Sequence, residues 1–282
     1  MTIGTLGIVG AGQMGCGIAH VCAAAGINVV LNDIDETAIR RGMDRVAATL
    51  DRMVSKANLT AEEASAIQSR ITGSAQLSSL GECDMVIEAA TENEKIKQDI
   101  LRRLDSLVRP DAIVATNTSS LSVSALAAAL SHPDRFIGMH FFSPVPMMRL
   151  IEVIRGAQTS DATFDSTVAL AKRIGKTPID VKNSPGFVVN RILVPMINEA
   201  IFALHEKVAS AEEIDAGMKL GANHPVGPLA LADLIGLDTV LAIMNVLCRE
   251  FNDQKYRPAP LLEQLVDAGD LGRKSGRGIY TY

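Results

Sequence analysis

The sequence predicts an α/β chain of two domains, with a parallel sheet in the first domain and only helices in the second. Over roughly the first 180 residues, short apolar runs alternate with stretches in which apolar residues recur at helix spacing, as in repeated strand-helix-strand units. Beyond them, only the helix spacing persists. The chain has 282 residues, of which 48% are hydrophobic, and this is enough to bury two modest cores.

The first unit of the sheet comprises a strand, a glycine turn, a helix and a second strand. Apolar runs at residues 6–9 and 29–31 predict the two strands, and the helix between them ends at Gly26. A crossover connection of this kind is right-handed and makes the two strands parallel. Further apolar runs predict strands at residues 85–87, 112–115 and 136–139, with helices between them.

A helical arm is predicted after the second strand. Residues 37–70 are more than one crossover requires, and Thr60 is followed by Glu62 and Glu63, as at the N-cap of a helix. We therefore expect a pair of helices that projects from the sheet.

The domain boundary is expected at residues 183–186, where Asn-Ser-Pro-Gly interrupts the pattern. A helix at 161–175 and a strand at 177–181 precede this linker, so the first domain is assigned residues 1–184 and the second 185–282. Helices of the second domain are expected at residues 187–206, 211–220, 229–250 and 261–268.

Composition argues against several classes of protein. The 27 basic and 32 acidic residues give a net charge of −5, which argues against a nucleic-acid-binding surface spread over the protein. No apolar run approaches the roughly 18 residues of a membrane span, and no secretory signal is recognised, so we expect a cytoplasmic protein without membrane contact. Four cysteines without a C-x-x-C pair predict buried thiols rather than disulfides or a metal site: Cys16, Cys22, Cys83 and Cys248.

A glycine motif follows the first strand directly. Gly10, Gly12 and Gly15, with Gln13 and Met14 among them, match G-x-G-x-x-G at the start of a helix. The first glycine permits a tight turn, the second a close approach to a pyrophosphate, and the third close packing of helix on strand. The motif predicts a Rossmann-like dinucleotide-binding domain. The alternative is a glycine-rich turn that only packs a helix on the sheet.

An acidic residue ends the second strand, where a dinucleotide ribose would lie. Asp33 comes 23 residues after Gly10, and its carboxylate is expected to accept hydrogen bonds from the adenosine ribose hydroxyls. Asp35 and Glu36 beside it would repel a 2′-phosphate, which favours NAD over NADP. FAD remains the competing cofactor at this stage.

A histidine and a glutamate interrupt two neighbouring apolar strands. His140 and Glu152 are separated by a turn that contains Pro146, so antiparallel pairing about this turn would make the two side chains face each other. A carboxylate beside an imidazole fixes its tautomer and favours its protonated form, as a base that takes a hydroxyl proton requires. The alternative is a buried ion pair that stabilises a hairpin.

Two further polar features are candidates for the same site. The sequence 116–120, Thr-Asn-Thr-Ser-Ser, follows a strand at its carboxyl end, where open α/β sheets bind ligands. Its hydroxyls orient a substrate oxygen or, alternatively, cap the next helix. Asn190 lies in an apolar helix, where an inward amide serves either a site or the structure.

The sequence resembles bacterial short-chain 3-hydroxyacyl-CoA dehydrogenases of the 3-hydroxybutyryl-CoA type over essentially its whole length. Six motifs carry the resemblance, in order and at the family's spacing. They lie at residues 10–15, 87–93, 116–120, 140–146, 185–191 and 271–276. One departure is Ser143, where the family usually has Asn.

The resemblance implies roles for individual residues. Ser119 orients the substrate oxygen, His140 acts as base, Glu152 is its partner and Asn190 supports the site. Contacts with NAD are implied for Glu92, Lys97, Asn117, Ser119, His140 and Lys274. Contacts with the acyl-CoA are implied for Ser55, Lys56, Ser119 and Asn190. The family's helical second domain also implies a homodimer.

The expected reaction is reversible hydride transfer between C3 of an (S)-3-hydroxyacyl-CoA and NAD. Two alternatives remain. One is a dehydrogenase of a free hydroxy acid, as among the gulonate dehydrogenase and lambda-crystallin relatives, and the other is a non-catalytic NAD-binding protein. Acyl chain length, direction and pathway are not given by the sequence.

Overall fold

The computed structural model describes residues 2–282, which form two compact units. The first unit ends at Asn183 and the second begins at Ser184. Three cysteines, Cys16, Cys22 and Cys83, are buried free thiols as expected, whereas Cys248 is half-buried.

The first unit is built on one eight-stranded sheet with the order β3-β2-β1-β4-β5-β6-β7-β8. The first six strands of this order are parallel, β7 is antiparallel to β6, and β8 is parallel to β7. The predicted parallel, doubly wound sheet is therefore confirmed. The strands are β1 (Thr5–Val9), β2 (Asn28–Asn32), β3 (Ile71–Ser74), β4 (Met85–Glu88), β5 (Ile113–Thr116), β6 (Phe136–Phe141), β7 (Leu150–Arg155) and β8 (Thr177–Lys182).

Six helices accompany the sheet. They are α1 (Gln13–Ala24), α2 (Glu36–Ser55), α3 (Ala61–Ser69), α4 (Glu94–Asp105), α5 (Val123–Ala127) and α6 (Asp161–Arg173). The predicted helix pair is present as α2 and α3, and Thr60 and Glu63 form a capping box at the start of α3. Both helices contact α1, so the pair lies against the domain along much of its length.

The central strands are buried on both faces, as expected for a parallel sheet covered by helices. All residues of β4, β5 and β6 are buried, so their apolar runs are continuous rather than alternating. The polar side chains Glu88, Thr116 and His140 interrupt these runs near the carboxyl ends of the strands. The fold thus brings ionisable and hydroxyl groups to one edge of the sheet.

The second unit is helical, as predicted. Its helices are α7 (Val189–His205), α8 (Ala211–Gly221), α9 (Pro228–Ile235), α10 (Leu237–Phe251) and α11 (Pro260–Asp267). The prediction of one helix over residues 229–250 was wrong. Gly236 adopts a φ of +103°, which helices do not tolerate, and the axes of α9 and α10 meet there at 97°.

Residues near the end of this unit bind two buried aspartates. Asp233 accepts hydrogen bonds from the backbone of Ile279 and Tyr280 and from the hydroxyl of Tyr282. Asp215 accepts a hydrogen bond from the hydroxyl of Tyr280 as well as from two amides at the start of α9. Burial and the neighbouring Asp215 raise the pKa of Tyr280. The segment therefore contributes polar partners that the buried carboxylates require.

Within residues 2–282, no single helix is both long and apolar enough to cross a membrane. The bent pair of α9 and α10 has the length and the apolar composition of a membrane span only when the two helices are taken together.

Candidate active site

The glycine loop lies where the strand order of the sheet reverses, between β1 and β4. A Cβ added to Gly10 would lie 2.7 Å from the carbonyl oxygen of Ala89, which follows β4, and one added to Gly15 would lie 1.8 Å from the oxygen of Gly10. No atom lies within 4 Å of such a Cβ at Gly12. Gly12 is also the N-cap of α1 and provides no side chain to cap it. The loop therefore presents amides of a helix N-terminus next to open space, which suits a phosphate group.

Asp33 supports the glycine loop directly. One carboxylate oxygen accepts a hydrogen bond from the amide of Ala11 at 2.6 Å, and the other accepts one from Ile34 at 2.7 Å. An ionised carboxylate can accept further bonds, so Asp33 retains acceptor capacity for a ribose hydroxyl. Asp35 caps α2 through the amide of Ala38.

His140 and Glu152 face each other across the predicted antiparallel pair. The register of β6 and β7 places them opposite each other, and Nδ1 of His140 lies 2.7 Å from Oε2 of Glu152. Glu152 is fully buried and His140 is 5% exposed, with the ring of Phe142 at 4.5 Å. A carboxylate that accepts from Nδ1 holds a proton on that nitrogen, so Nε2 is the ring atom at which the neutral imidazole would accept a proton.

Ser119 and Glu92 lie together in the segments that follow β5 and β4, respectively. The Ser119 hydroxyl donates to Oε1 of Glu92 at 2.7 Å, and the Thr118 hydroxyl donates to Oε2 at 2.9 Å. The side chain of Asn117 accepts a hydrogen bond from the amide of Phe141, the residue after His140. The polar segment after β5 is thus bonded both to Glu92 and to the end of the histidine strand.

Lys97 is a buried residue next to Glu92. Its side chain is 2% exposed, and its ammonium forms a short contact with the buried carboxylate of Glu88. The ammonium also lies 3.4 Å from the Thr116 hydroxyl and 3.9 Å from the carboxylate of Glu92. The ammonium of Lys97 therefore offsets the negative charge of two carboxylates, Glu88 and Glu92, from a buried position.

A pocket of about 510 Å³ lies between α1, α2 and the turn that joins β6 to β7. Three cations line it, namely Arg45 and Arg52 of α2 and Lys56 at the C-cap of that helix, and none of its lining residues is acidic. The ring of His20 also lines the pocket, and burial lowers the pKa of this histidine, so its imidazole is neutral near pH 7. Ser55 does not line the pocket, and its hydroxyl donates to the carbonyl of Arg52.

Gln13 connects the glycine loop to the turn after the histidine strand. Its amide nitrogen donates to the hydroxyl of Ser143 at 2.9 Å. Ser143, the departure from the family pattern, is therefore a hydrogen-bond partner of the loop. Met14 packs partly buried against the core of the first unit.

Two predicted site residues belong to the second unit. Asn190 is half-buried in the first turn of α7. Lys274 is exposed and forms a short ion pair with Asp238 at the start of α10.

Sequence reasoning missed two of the pocket cations. Arg45 and Arg52 precede Lys56 by eleven and four residues, which are helical periods, so all three occupy one face of α2. This spacing was a usable signal.

Among residues 2–282, no group of three His, Cys, Asp or Glu side chains is arranged to hold a metal ion.

Two family models together match nearly the whole chain. The one described as the 3-hydroxyacyl-CoA dehydrogenase NAD binding domain matches residues 5–184, and the one for the C-terminal domain matches residues 186–282.

Individual relatives match over the same length. The chain is 52% identical over 277 residues to a 3-hydroxybutyryl-CoA dehydrogenase of Bradyrhizobium diazoefficiens, covering 98% of this chain and 94% of that protein. It is 50% identical to a 3-hydroxybutyryl-CoA dehydrogenase of Clostridioides difficile, covering 98% and 99%. The crystal structure of an (S)-3-hydroxybutyryl-CoA dehydrogenase of Ralstonia eutropha is 58% identical, with a TM-score of 0.97 and coverage of 100% and 99%. The resemblance seen in the motifs is confirmed: the chain belongs to the 3-hydroxyacyl-CoA dehydrogenase family of NAD-dependent oxidoreductases.

Proposed function

We propose that this enzyme oxidises a short-chain (S)-3-hydroxyacyl-CoA to the 3-oxoacyl-CoA reversibly, with His140 as the base. The buried His140–Glu152 pair, 2.7 Å apart at the carboxyl edge of the sheet, is the observation that carries the proposal. The names of the relatives from Bradyrhizobium, Clostridioides and Ralstonia support a four-carbon acyl group, and the name of the Ralstonia enzyme supports the (S) configuration.

The pair has the arrangement that proton transfer requires. His140 takes the proton of the C3 hydroxyl at Nε2 as the C3 hydride leaves, and Glu152 stabilises the imidazolium through Nδ1. In the reverse direction the imidazolium returns the proton to the carbonyl oxygen. Ser119 orients that oxygen, and Asn190 supports the site.

The first unit fits a dinucleotide. Open space at Gly12 and the uncapped start of α1 accommodate a pyrophosphate, and Asp33 accepts from the adenosine ribose. Glu92, Asn117 and Lys274 are the further candidates for contact with the cofactor. Lys97 affects cofactor binding through Glu92 and Glu88, since its ammonium is buried against these two carboxylates. When bound, NAD supplies the hydride acceptor at C4 of the nicotinamide.

The pocket between α1, α2 and the β6–β7 turn receives the coenzyme A part of the substrate. Its apolar walls suit the pantetheine chain, and Arg45, Arg52 and Lys56 suit the phosphates. The absence of acidic lining residues removes the repulsion that an anionic thioester would otherwise meet.

The double variant Arg52→Gln, Lys56→Gln should raise the KM for acetoacetyl-CoA by about 30-fold, because two phosphate contacts of roughly 1 kcal/mol each are lost. The KM for NADH should stay within about two-fold. Steady-state kinetics at two salt concentrations measure both values, and the salt dependence of the thioester KM should weaken in the variant. The exposed pair Arg102 and Arg103 on α4 provides a matched control. An unchanged thioester KM would contradict the assignment of the pocket.

The function itself is tested by measuring initial rates of NADH oxidation with acetoacetyl-CoA and with free acetoacetate as substrates. The rate with acetoacetyl-CoA is then measured again with NADPH in place of NADH. We expect rapid turnover only for the combination of acetoacetyl-CoA with NADH. Turnover with the free acid but not the thioester would replace the proposal by the hydroxy-acid alternative.

We also propose that the chain forms a homodimer through its second unit. Large apolar side chains of this unit are exposed, with Ile192 at 67%, Leu220 at 87% and Leu234 at 55%. Exposed apolar surface of this extent favours association. Light scattering should give twice the mass of 30.0 kDa, and a monomer at micromolar concentration would disprove the proposal.

A further inference from the structure

Lys176 is a buried cation that the proposed chemistry does not use. It directly precedes β8 and is 8% exposed. Its ammonium donates to the carbonyl oxygen of Val145 and, at 2.7 Å, to that of Met148. Burial lowers the pKa of Lys176, and no carboxylate contributes to the shift. Backbone carbonyls rather than an acidic side chain thus stabilise this charge.

Both carbonyls belong to the turn that joins β6 to β7, and this turn forms one wall of the pocket. Val145, Pro146 and Met147 line the pocket, and Val145 itself is 2% exposed. Lys176 therefore holds two backbone carbonyls of this wall.

Helix α1 packs closely against the same wall. A Cβ added to Gly17 would lie 2.8 Å from Cβ of Val145, closer than real Cβ contacts allow. The turn is thus packed against α1 and bonded to Lys176, and a shift of the turn changes the width of the pocket.

The catalytic pair is positioned by other contacts. The register of β6 with β7 places His140 opposite Glu152, and β7 pairs in turn with β8. Loss of the lysine contacts should consequently move the wall and leave the distance within the pair unchanged.

We infer that Lys176 is a positioning residue that sets the affinity of the enzyme for its acyl-CoA by holding the pocket wall. The inference rests on the proposed function, in which this pocket receives the thioester. It concerns recognition of the coenzyme A part and not the transfer of hydride.

Lys176→Met should raise the KM for acetoacetyl-CoA and the Kd for free coenzyme A, measured by calorimetry, by about 10-fold or more. The kcat should stay within about three-fold and the Kd for NADH within about two-fold, because Lys176 holds the turn at Val145 and Met148, whereas the glycine loop is bonded to it at Ser143. Lys172→Met removes an exposed lysine four residues earlier and is the matched control. Lys176→Arg should restore much of the affinity, since the guanidinium retains donors for both carbonyls.

Gly17→Ala displaces the wall independently of Lys176 and should raise the same two constants. If Lys176→Met does not fold, Lys176→Gln, which keeps a donor for one carbonyl, provides the comparison. An unchanged thioester KM in a folded Lys176 variant would overturn the inference, and so would a parallel rise in the Kd for NADH, which indicates a general structural role. Absence of thioester turnover in the unmodified enzyme would instead refute the proposed function.

Discussion

His140→Gln should lower kcat for the NADH-dependent reduction of acetoacetyl-CoA by about 10²- to 10⁴-fold, the range for loss of a general acid–base group. Glutamine keeps a side chain of similar length and a donor for Glu152, but it cannot exchange a proton near neutral pH. The Kd for NADH, measured by fluorescence titration, should stay within about two-fold, because His140 lies three strands from the glycine loop in the sheet.

The control for this variant is His132→Gln, which changes an exposed histidine eight residues earlier. It should retain full activity. A His140→Gln enzyme with ordinary turnover would remove His140 from the mechanism, and a variant that loses NADH binding as well would point to misfolding of the site.

Lys97→Met should lower the free energy of unfolding by about 3–5 kcal/mol, the usual cost of leaving one member of a buried ion pair uncompensated. Glu88 is fully buried, and its remaining partners are the Thr116 hydroxyl and the amide of Ala90. These neutral donors do not replace the charge of the ammonium. Urea denaturation followed by circular dichroism measures the loss.

A second variant separates the ion pair from packing. Glu88→Gln combined with Lys97→Met removes both charges and should recover most of the lost stability, since the glutamine oxygen can accept from the amide of Ala90 and its NH2 group can donate to the Thr116 hydroxyl. Lys95→Met on the same helix changes an exposed lysine and should have little effect. Equal destabilisation in the single and double variants would show that the charges do not account for the loss.

Most of the sheet could be predicted because its strands are continuous apolar runs. The strand β3 was missed because Ile71 is the only buried apolar residue in its four positions. Gly73 is required there by packing, since a Cβ would lie 2.3 Å from the side chain of Ile39. Such a constraint arises from a helix more than 30 residues earlier, so no local pattern records it.

The break between α9 and α10 was missed for a different reason. Apolar residues continue at helix spacing on both sides of Gly236, and an isolated glycine inside a helix costs only about 1 kcal/mol. Spacing alone therefore does not distinguish a tolerated glycine from one with a positive φ. The pairing of His140 with Glu152 was predictable because a short turn between two strands fixes which residues face each other.

The surroundings of the site depend on contacts that are distant in sequence. The family resemblance implied only a contact of Lys97 with NAD, and the ends of β4 and β5 bury its ammonium. Lys176 reaches carbonyls 28 and 31 residues earlier. Neither side chain differs in local sequence from a solvated lysine, because burial of a charge is decided by the fold.

The aspartates buried in the second unit have a consequence for the synthesis of the chain. Asp233 lies in α9, but its backbone and tyrosine donors come from residues 279–282, about 50 positions later. A nascent chain that has produced all five helices of this unit still lacks these donors, and burial of the carboxylate without them is costly. The sheet unit has all its strands by residue 182 and can fold while translation continues. The helical unit, in contrast, gains the hydrogen bonds that compensate the burial of Asp233 only once residues 279–282 have been synthesised.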